Sequence, residues 1–189
     1  MKAYILPSIK ITIILLVICS GLYPLAIAAI GKLTPGHGDG ETIEYKGRIV
    51  GFANVGQKFT KDKYFWSRPS ATTPAYNAES STGSNLGPTN PAQLDAVRNL
   101  ADAIRKANPD QSGPVPIDLV TASASGLDPH ITIAAANYQA TRVANARKIS
   151  VDAVQKAIAE NTENRTLGLL GEPRVNVLKL NLALDASQK

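Results

Sequence analysis

The 189-residue chain has only one cysteine, Cys19, and it lies in an apolar run near the N-terminus. The rest of the chain therefore cannot form an internal disulfide bond or a zinc site built from cysteines. A strong charge excess is also missing, since 20 lysines and arginines stand against 15 aspartates and glutamates, and the two signs are interspersed. This excludes a nucleic-acid-binding protein, which would carry a concentrated basic surface.

Charged side chains and histidine are absent between Lys10 and Lys32. About twenty apolar residues in a helix, at about 1.5 Å per residue, cross a hydrocarbon core of about 30 Å. We therefore predict a transmembrane helix over residues 11–31. A cleaved secretory signal is the alternative, because Lys2 and Lys10 form a basic start and residues 26–28 have the small-x-small form of a cleavage site.

The positive charges around this run predict its orientation. Lys2, Lys10 and the amino terminus outweigh Lys32, so residues 1–10 are expected in the cytoplasm and the remainder outside it. Gly21 and Pro24 interrupt the apolar run, which predicts a kinked helix with room for a neighbouring helix. Both residues are therefore candidate partner contacts, and a helix that faces only lipid is the alternative.

Beyond the helix, residues 32–45 contain closely spaced glycines and a proline, and we predict a linker there. No Lys-Ser or Lys-Thr pair follows these glycines, so they do not form a phosphate-binding loop. Residues 46–189 are predicted to be one mixed α/β (α+β) soluble domain. Its expected strands are 46–55, 115–121 and 175–184, and its expected helices are 91–108, 129–148 and 151–161.

Hydrophobic periodicity within these elements predicts which side chains form the core. Two residues of the first strand, one stripe of the first helix, three residues of the second strand and alternate leucines of the last strand should point inward. These are Ile49 and Val50; Leu94, Val97, Leu100 and Ile104; Ile117, Leu119 and Val120; and Leu178, Leu180, Leu182 and Leu184. The same alternation places Lys179 and Asn181 on a solvated or partner-facing side.

Tyr64, Phe65 and Trp66 stand together beside Arg68. We interpret these rings as core residues with the guanidinium stacked or paired at their edge. The alternative is a surface that meets a partner or the lipid interface. The long polar loop 80–90 is a second candidate contact region, with Ser84 and Asn85 at its centre.

Ser123, Ser125, Asp128 and His130 lie within eight residues of one another, which suggests a serine hydrolase. Triad members usually come from separate segments, however, and the Gly-x-Ser-x-Gly elbow is absent. Asp128 and Pro129 fit better as the N-cap and first residue of the helix 129–148. On that helix Gln139 and Arg142 are neighbours, with Arg147 further along, so they either form one contact site or a solvated face.

Several long segments resemble the C subunit of the Kdp-type potassium-transporting ATPase. They are YFWSRPSA (64–71), SSTGSNLGPTN (80–90), DLVTASASGLDPHI (118–131), YQATRVANAR (138–147) and LGEPRVNVLKLNLALD (170–185). The resemblance implies a non-catalytic, single-pass subunit of a bacterial inner-membrane complex that imports potassium. Its expected partners are a channel-like potassium-binding subunit, a P-type subunit that hydrolyses ATP and a small accessory membrane peptide. It also implies a role in assembly and as a catalytic chaperone that raises the ATP affinity of the P-type subunit.

The resemblance further assigns nucleotide contact to Gln139. This assignment conflicts with the predicted topology, because ATP is cytoplasmic whereas the domain is expected outside. We therefore expect no tightly bound cofactor, and ATP to act only through the partner subunit. Two other function classes stay open: an anchored or secreted serine hydrolase using Ser123 or Ser125 with His130 and an aspartate, and a periplasmic module that binds a small ligand.

Overall fold

The structure is a computed structural model that describes residues 2–187. The chain divides between Thr42 and Ile43 into two compact units. Residue 1 of the predicted N-terminal segment 1–10 lies outside the described residues. So do residues 188 and 189 of the predicted domain 46–189.

The N-terminal unit is built on one long apolar helix. It consists of α1 (Lys2–Val17), a π-helical turn (Ile18–Leu22) and α2 (Tyr23–Gly31). The stretch Tyr4–Gly31 is long and apolar enough to cross a membrane, and none of its side chains is buried within the chain. The predicted apolar helix is confirmed, although it begins before residue 11.

The π-helical turn has a local cause in Pro24. Proline cannot donate a backbone hydrogen bond, and its ring clashes with the carbonyl four residues earlier, here that of Ser20. The turn widens directly before this position, and the Tyr23 N–H bonds to the Ile18 carbonyl five residues back. A side chain added at Gly21 would meet nothing within 4 Å, so the helix has an open notch beside its irregular turn.

A hairpin follows the connector. Strand β1 (Thr42–Tyr45) pairs with β2 (Arg48–Phe52) in a two-stranded sheet. Lys46 and Gly47 form the turn with φ of 52° and 75°, the left-handed conformation that a two-residue hairpin requires. The predicted linker 32–45 thus ends in a strand. Ile49 is exposed, so its predicted inward orientation is wrong, whereas Val50 is half-buried.

The larger unit combines a three-stranded antiparallel sheet with four helices. Strand β5 (Arg174–Asn176) lies between β3 (His130–Thr132) and β4 (Thr162–Glu163), with Ile131 opposite Val175. The helices are α3 (Pro91–Ala107), α4 (Ile133–Arg147), α5 (Val151–Glu160) and α6 (Val177–Ser187). This confirms the predicted α+β class.

Two helices agree with their predicted bounds because their ends are set by local caps. Asn90 accepts a hydrogen bond from the Ala92 N–H (2.9 Å) at the start of α3, and Ser150 accepts one from the Ala153 N–H (3.2 Å) at the start of α5. On α5, Val154 and Ile158 are buried as predicted. On α3 only Ile104 is buried and Leu94 is exposed, so the prediction that the whole stripe forms core is wrong.

The helix α4 begins later than predicted. Residues 130–132 pair with β5 and are therefore extended, and the Thr132 hydroxyl caps the helix by accepting from the Ala135 N–H (3.1 Å). Asp128 consequently does not cap α4. Among the α-helices of the domain, α4 has the largest buried share, and its buried side chains include Gln139, Arg142 and Arg147.

The C-terminal strand predicted over 175–184 is wrong beyond Asn176. The chain turns into α6, in which Val177, Leu180, Asn181 and Leu184 are buried at helical spacing. The prediction of a strand over 115–121 is also wrong. That segment contains a single 3₁₀ turn (Ile117–Leu119), with Ile117 exposed and Leu119 and Val120 buried.

Candidate functional site

The aromatic segment 64–66 is held to two helices by side-chain amides. Gln139 of α4 accepts a hydrogen bond from the Trp66 N–H (2.8 Å) and donates one to the Trp66 carbonyl (3.2 Å). Asn181 of α6 accepts from the Phe65 N–H (2.8 Å) and donates to the Phe65 carbonyl (3.1 Å). Two consecutive backbone units are thus paired as they would be in a β-ladder, although no strand lies beside them.

Arg142 completes this arrangement from the next turn of α4. Its Nη2 donates to Gln139 Oε1 (2.7 Å), and its Nη1 donates to the carbonyls of Asp62 (2.5 Å) and Tyr64 (3.1 Å). The guanidinium lies 4.3 Å from the centre of the Trp66 ring, a cation–π contact. Burial lowers the pKa of Arg142 to about 10, partly offset by the charge of Asp62, so the side chain remains charged at neutral pH.

Arg147 holds the start of the same segment. Its Nε donates to the Lys63 carbonyl (2.7 Å) and its Nη2 donates to Asp185 Oδ1 (2.8 Å). Asp185 also accepts a hydrogen bond from the Tyr64 hydroxyl (3.0 Å). We call Gln139, Arg142, Arg147 and Asn181 the backbone anchor, because each one binds main-chain atoms of residues 62–66.

A second group of charged side chains links Arg68 to the sheet. Arg68 Nη1 donates to Asp128 Oδ2 (3.0 Å), and Asp128 Oδ1 accepts from the His130 N–H (3.0 Å). His130 Nε2 lies 3.4 Å from Glu163 Oε2, and Glu163 also binds Arg174 Nε (3.2 Å). We call these five residues, with Lys179 bound to Glu163 Oε1 (3.3 Å), the charge network.

The charge network favours the ionised carboxylates. Burial alone would raise the pKa of Asp128, but hydrogen bonds from the His130 side chain and backbone, together with Arg68, bring it below its usual value. The pKa of Glu163 is likewise lowered against the effect of burial, by Arg174, His130 and Lys179. Both carboxylates are therefore charged at neutral pH.

The serines that suggested a hydrolase act within a turn. Ser123 Oγ accepts from the Gly126 N–H (2.9 Å) and Ser125 Oγ accepts from the Leu127 N–H (3.1 Å). Both ring nitrogens of His130 lie against carboxylates, at 3.3 Å from Asp128 and 3.4 Å from Glu163. This geometry does not provide the serine–histidine pair that nucleophilic catalysis needs.

An apolar groove of about 380 Å³ lies beside the aromatic segment. Its walls include Phe59, Trp66, Tyr76, Leu100 and Ile104, and its charged lining residues are Lys58 and Arg68. The Tyr76 hydroxyl donates to the Arg68 carbonyl, and burial raises the pKa of Tyr76 to about 12. Within residues 2–187, no group of three or more His, Cys, Asp or Glu side chains is arranged to hold a metal ion.

Residues 5–186 match the family model described as KdpC: K+-transporting ATPase, c chain. The chain belongs to the KdpC family. Relatives named "Potassium-transporting ATPase KdpC subunit" from Burkholderia ambifaria and Burkholderia vietnamiensis are each 54% identical over 190 residues, covering 100% of this chain and 98% of theirs. The protein of that name from Burkholderia mallei is 52% identical with the same coverage.

Gln139 and Arg142, predicted to be neighbours on one helix, lie together at the centre of the backbone anchor. Gln139 is 0% exposed and Arg142 is also buried, so the interpretation of a solvated helix face is wrong. All the hydrogen-bonding groups of the Gln139 amide are used, since Nε2 also lies 3.3 Å from the Ala135 carbonyl. Neither side chain is therefore free to contact another molecule in this structure.

The other predicted contacts fall in separate places. Phe65 is completely buried and is a core residue, as the first interpretation of the aromatic segment held, whereas Tyr64, Trp66 and Arg68 are half-buried. Arg68 pairs with Asp128, and the cations over the rings of the segment are others: Arg142 lies over Trp66, and Arg147 and Lys63 lie over Tyr64. Ser84 and Asn85 lie on an exposed loop with hydrogen bonds only to near neighbours. Gly21 and Pro24 belong to the N-terminal helix.

Sequence reasoning missed the roles of Asn181 and Arg147 in the anchor. Asn181 was assigned to the outer face of a strand, because leucines alternate around it. Reading LKLNLALD with helical spacing would have placed Asn181 on the buried face with Val177 and Leu184. Arg147 gave no comparable signal, because a basic residue in the last turn of a helix is common on surfaces.

Proposed function

We propose that this chain is a non-catalytic accessory subunit of an ATP-driven complex that imports potassium across the bacterial inner membrane. The observation that carries the proposal is the family match, which extends over residues 5–186 and so includes the N-terminal apolar helix. The proposed partners are a channel-like potassium-binding subunit, a P-type subunit that hydrolyses ATP and a small accessory membrane peptide. The chain contributes to the assembly of these subunits.

In this proposal the helix is a single-pass anchor with its N-terminus in the cytoplasm and the soluble domain outside. Lys2 and Lys10 precede the apolar stretch and only Lys32 follows closely, a distribution that favours this orientation. The π-helical turn and the open notch at Gly21 give the helix an irregular surface on which a neighbouring transmembrane helix can pack closely.

We further propose that the subunit raises the ATP affinity of the P-type subunit indirectly. The burial of Gln139 and the use of its amide inside the domain support an indirect effect, because a nucleotide would have to displace the Trp66 backbone. An extracytoplasmic domain that binds one conformation of the complex more tightly changes ATP affinity by thermodynamic linkage. The chain itself then needs neither bound nucleotide nor another cofactor.

Proteolysis in oriented membranes tests the topology. The proposal predicts cleavage of the soluble domain when protease is added to spheroplasts or right-side-out vesicles, and protection in inverted vesicles. The opposite pattern would place the domain in the cytoplasm and refute the indirect mechanism as stated.

A helix replacement tests whether the N-terminal helix contributes to assembly of the complex. Residues 11–31 are replaced by polyleucine, and subunit association and potassium-stimulated ATPase activity are measured in the purified complex. The proposal predicts loss of assembly or activity, whereas Cys19→Ser, a change in the same helix that leaves Gly21 and Pro24 in place, retains both. Full activity with the polyleucine helix would contradict the proposal.

A pair of variants separates nucleotide contact from an indirect effect. Gln139→Ala and Asn181→Ala each remove one amide of the backbone anchor, but only Gln139 is assigned to nucleotide by family resemblance. We expect the two variants to change the KM for ATP of the complex by similar factors. A rise in KM with Gln139→Ala alone, with the complex still assembled, would indicate direct contact.

A further inference from the structure

Three leucines are exposed at one tight turn between β4 and β5. Backbone hydrogen bonds close this turn, from the Thr166 N–H to the Leu170 carbonyl (2.9 Å) and from the Leu170 N–H to the Thr166 carbonyl (3.0 Å). Leu167, Leu169 and Leu170 are 86%, 80% and 64% exposed. We call residues 166–170 the leucine turn. Such a concentration of exposed leucine marks an interaction surface.

The leucine turn holds its side chains away from the domain. Leu167 and Gly168 have φ of 55° and 73°, the left-handed region, which is disfavoured for leucine. A side chain added at Gly168 or Gly171 would meet nothing within 4 Å. The turn therefore projects from its surroundings and is open on the side of these glycines.

The backbone of the turn satisfies much of its own hydrogen-bonding capacity. In addition to the two bonds that close it, the Gly168 N–H donates to the Arg165 carbonyl (3.0 Å) and the Leu169 N–H to the Thr166 carbonyl (3.2 Å). From residue 167 to residue 171 the sequence contains only leucine and glycine. The turn can therefore leave water at a low cost in unpaired polar groups, which is the condition for entering lipid.

The size and chemistry of the surface favour lipid over a protein partner. The exposed leucine side chains offer on the order of 300 Å² of apolar area, whereas a stable protein interface uses roughly 800 Å² per partner. Specific protein interfaces also form about one hydrogen bond per 100–200 Å², and leucine and glycine side chains supply none. Arg165 is exposed at the base of the turn, where it can pair with lipid phosphate.

We propose that the leucine turn inserts into the boundary between headgroups and acyl chains of the bilayer that the N-terminal helix crosses. Residues 32–41 connect this helix to β1 and span at most about 35 Å. The domain is therefore kept close to lipid, and at such a high effective concentration a few leucines are sufficient for binding that would be marginal in a free protein. The inference depends on the membrane helix and not on the role proposed for the complex.

A fluorescent label on the turn tests the insertion. The full chain carries Cys19→Ser and Leu169→Cys, is labelled with an environment-sensitive fluorophore, and is reconstituted into vesicles of phosphatidylcholine and phosphatidylglycerol. We expect blue-shifted emission that is lost when the lipids carry a nitroxide near the top of the acyl chain and is little affected by aqueous iodide. Ile117→Cys in the same background is the matched control, because Ile117 is a large exposed apolar residue elsewhere in the domain. Its label should be quenched by iodide and not by the lipid nitroxide.

The same labelled chain in the complete complex shows whether lipid remains the occupant. Quenching by the lipid nitroxide in vesicles and in the complex supports the proposal. A blue shift that requires the other subunits and resists the lipid nitroxide would mean that the turn binds protein, and would overturn it. Emission typical of water in both samples would also overturn it. Leu167→Cys repeats the measurement at a second position, so that the result does not depend on the loss of one leucine.

Discussion

The side chain of Gln139 and the backbone of Trp66 are joined by two hydrogen bonds across 73 residues of sequence, with Trp66 N–H to Oε1 at 2.8 Å and Nε2 to the Trp66 carbonyl at 3.2 Å. The glutamine amide thereby takes the place that a neighbouring strand would have as the hydrogen-bonding partner of this main-chain unit. Asn181 does the same for Phe65. The backbone N–H and carbonyl groups of Phe65 and Trp66 therefore depend on these two buried amides for their hydrogen bonds.

We expect Gln139→Ala to lower the free energy of unfolding by about 3 kcal/mol. The change removes the partners of the N–H and carbonyl of the half-buried Trp66, at roughly 1–3 kcal/mol for each group, and opens a small cavity at the fully buried position 139. Trp66 is the single tryptophan, so its fluorescence during urea unfolding of the full chain in detergent reports on this site. Gln155→Ala, at an exposed position of α5, is the matched control and should change the stability by no more than about 0.5 kcal/mol. Equal effects of the two variants would refute the anchoring role.

We expect Asn181→Ala to lower the free energy of unfolding by about as much as Gln139→Ala does. The two losses should not be fully additive when the substitutions are combined. Both amides bind the same continuous segment. Once the first substitution has released part of that segment, the second amide has fewer native contacts left to lose. We expect the double variant to lose less than the sum of the single losses, by at least about 0.5 kcal/mol. The check is a double-mutant cycle from the same urea titrations. Strict additivity would mean that the two amides act independently.

Elements whose ends are determined by nearby residues were predictable from the sequence. The caps Asn90 and Ser150 lie next to the helices that they start, and α3 and α5 have their predicted positions. The anchor was not predictable, because its hydrogen bonds join residues far apart in sequence. A glutamine and an arginine three residues apart on a helix look the same whether they face water or a distant main-chain segment.

The wrong C-terminal strand and the shortened helix α4 have a similar explanation. Alternating leucines over 178–184 satisfy a strand pattern, but Val177, Leu180, Asn181 and Leu184 also satisfy a helical one, and packing against the domain selects the helix. The Asp128-Pro129 pair has the form of a helix start. Because residues 130–132 pair with β5, the helix begins only after them. The Asp128 carboxylate accepts hydrogen bonds from Arg68 and from the His130 N–H and so does not cap the helix.

Arg142→Lys should destabilise the domain by about 2–3 kcal/mol although the charge is retained. The guanidinium binds Gln139 and two main-chain carbonyls at once and also stacks on Trp66, and a lysine ammonium cannot reproduce this planar arrangement. Arg105→Lys is the control, because Arg105 makes only an exposed ion pair with Asp102, and such pairs contribute little. The measurement is again urea unfolding followed by Trp66 fluorescence. A loss no larger than that of the control would show that a positive charge alone is sufficient at position 142.

Acidification should weaken the connection between Arg68 and the sheet. The pKa values of Asp128 and Glu163 are lower in the folded domain than in the unfolded chain, so their contribution is complete above the unfolded values near 4 and is lost as the pH falls through the folded ones. The Tm of the full chain should therefore decrease below about pH 4. Asp128→Asn removes the charge that faces Arg68, so it should lower the Tm at neutral pH and make the acid-induced decrease shallower. Asp110→Asn, at an exposed position, should leave the pH dependence unchanged. If Asp128→Asn shows the same decrease as the parent chain, the acid sensitivity arises outside the charge network.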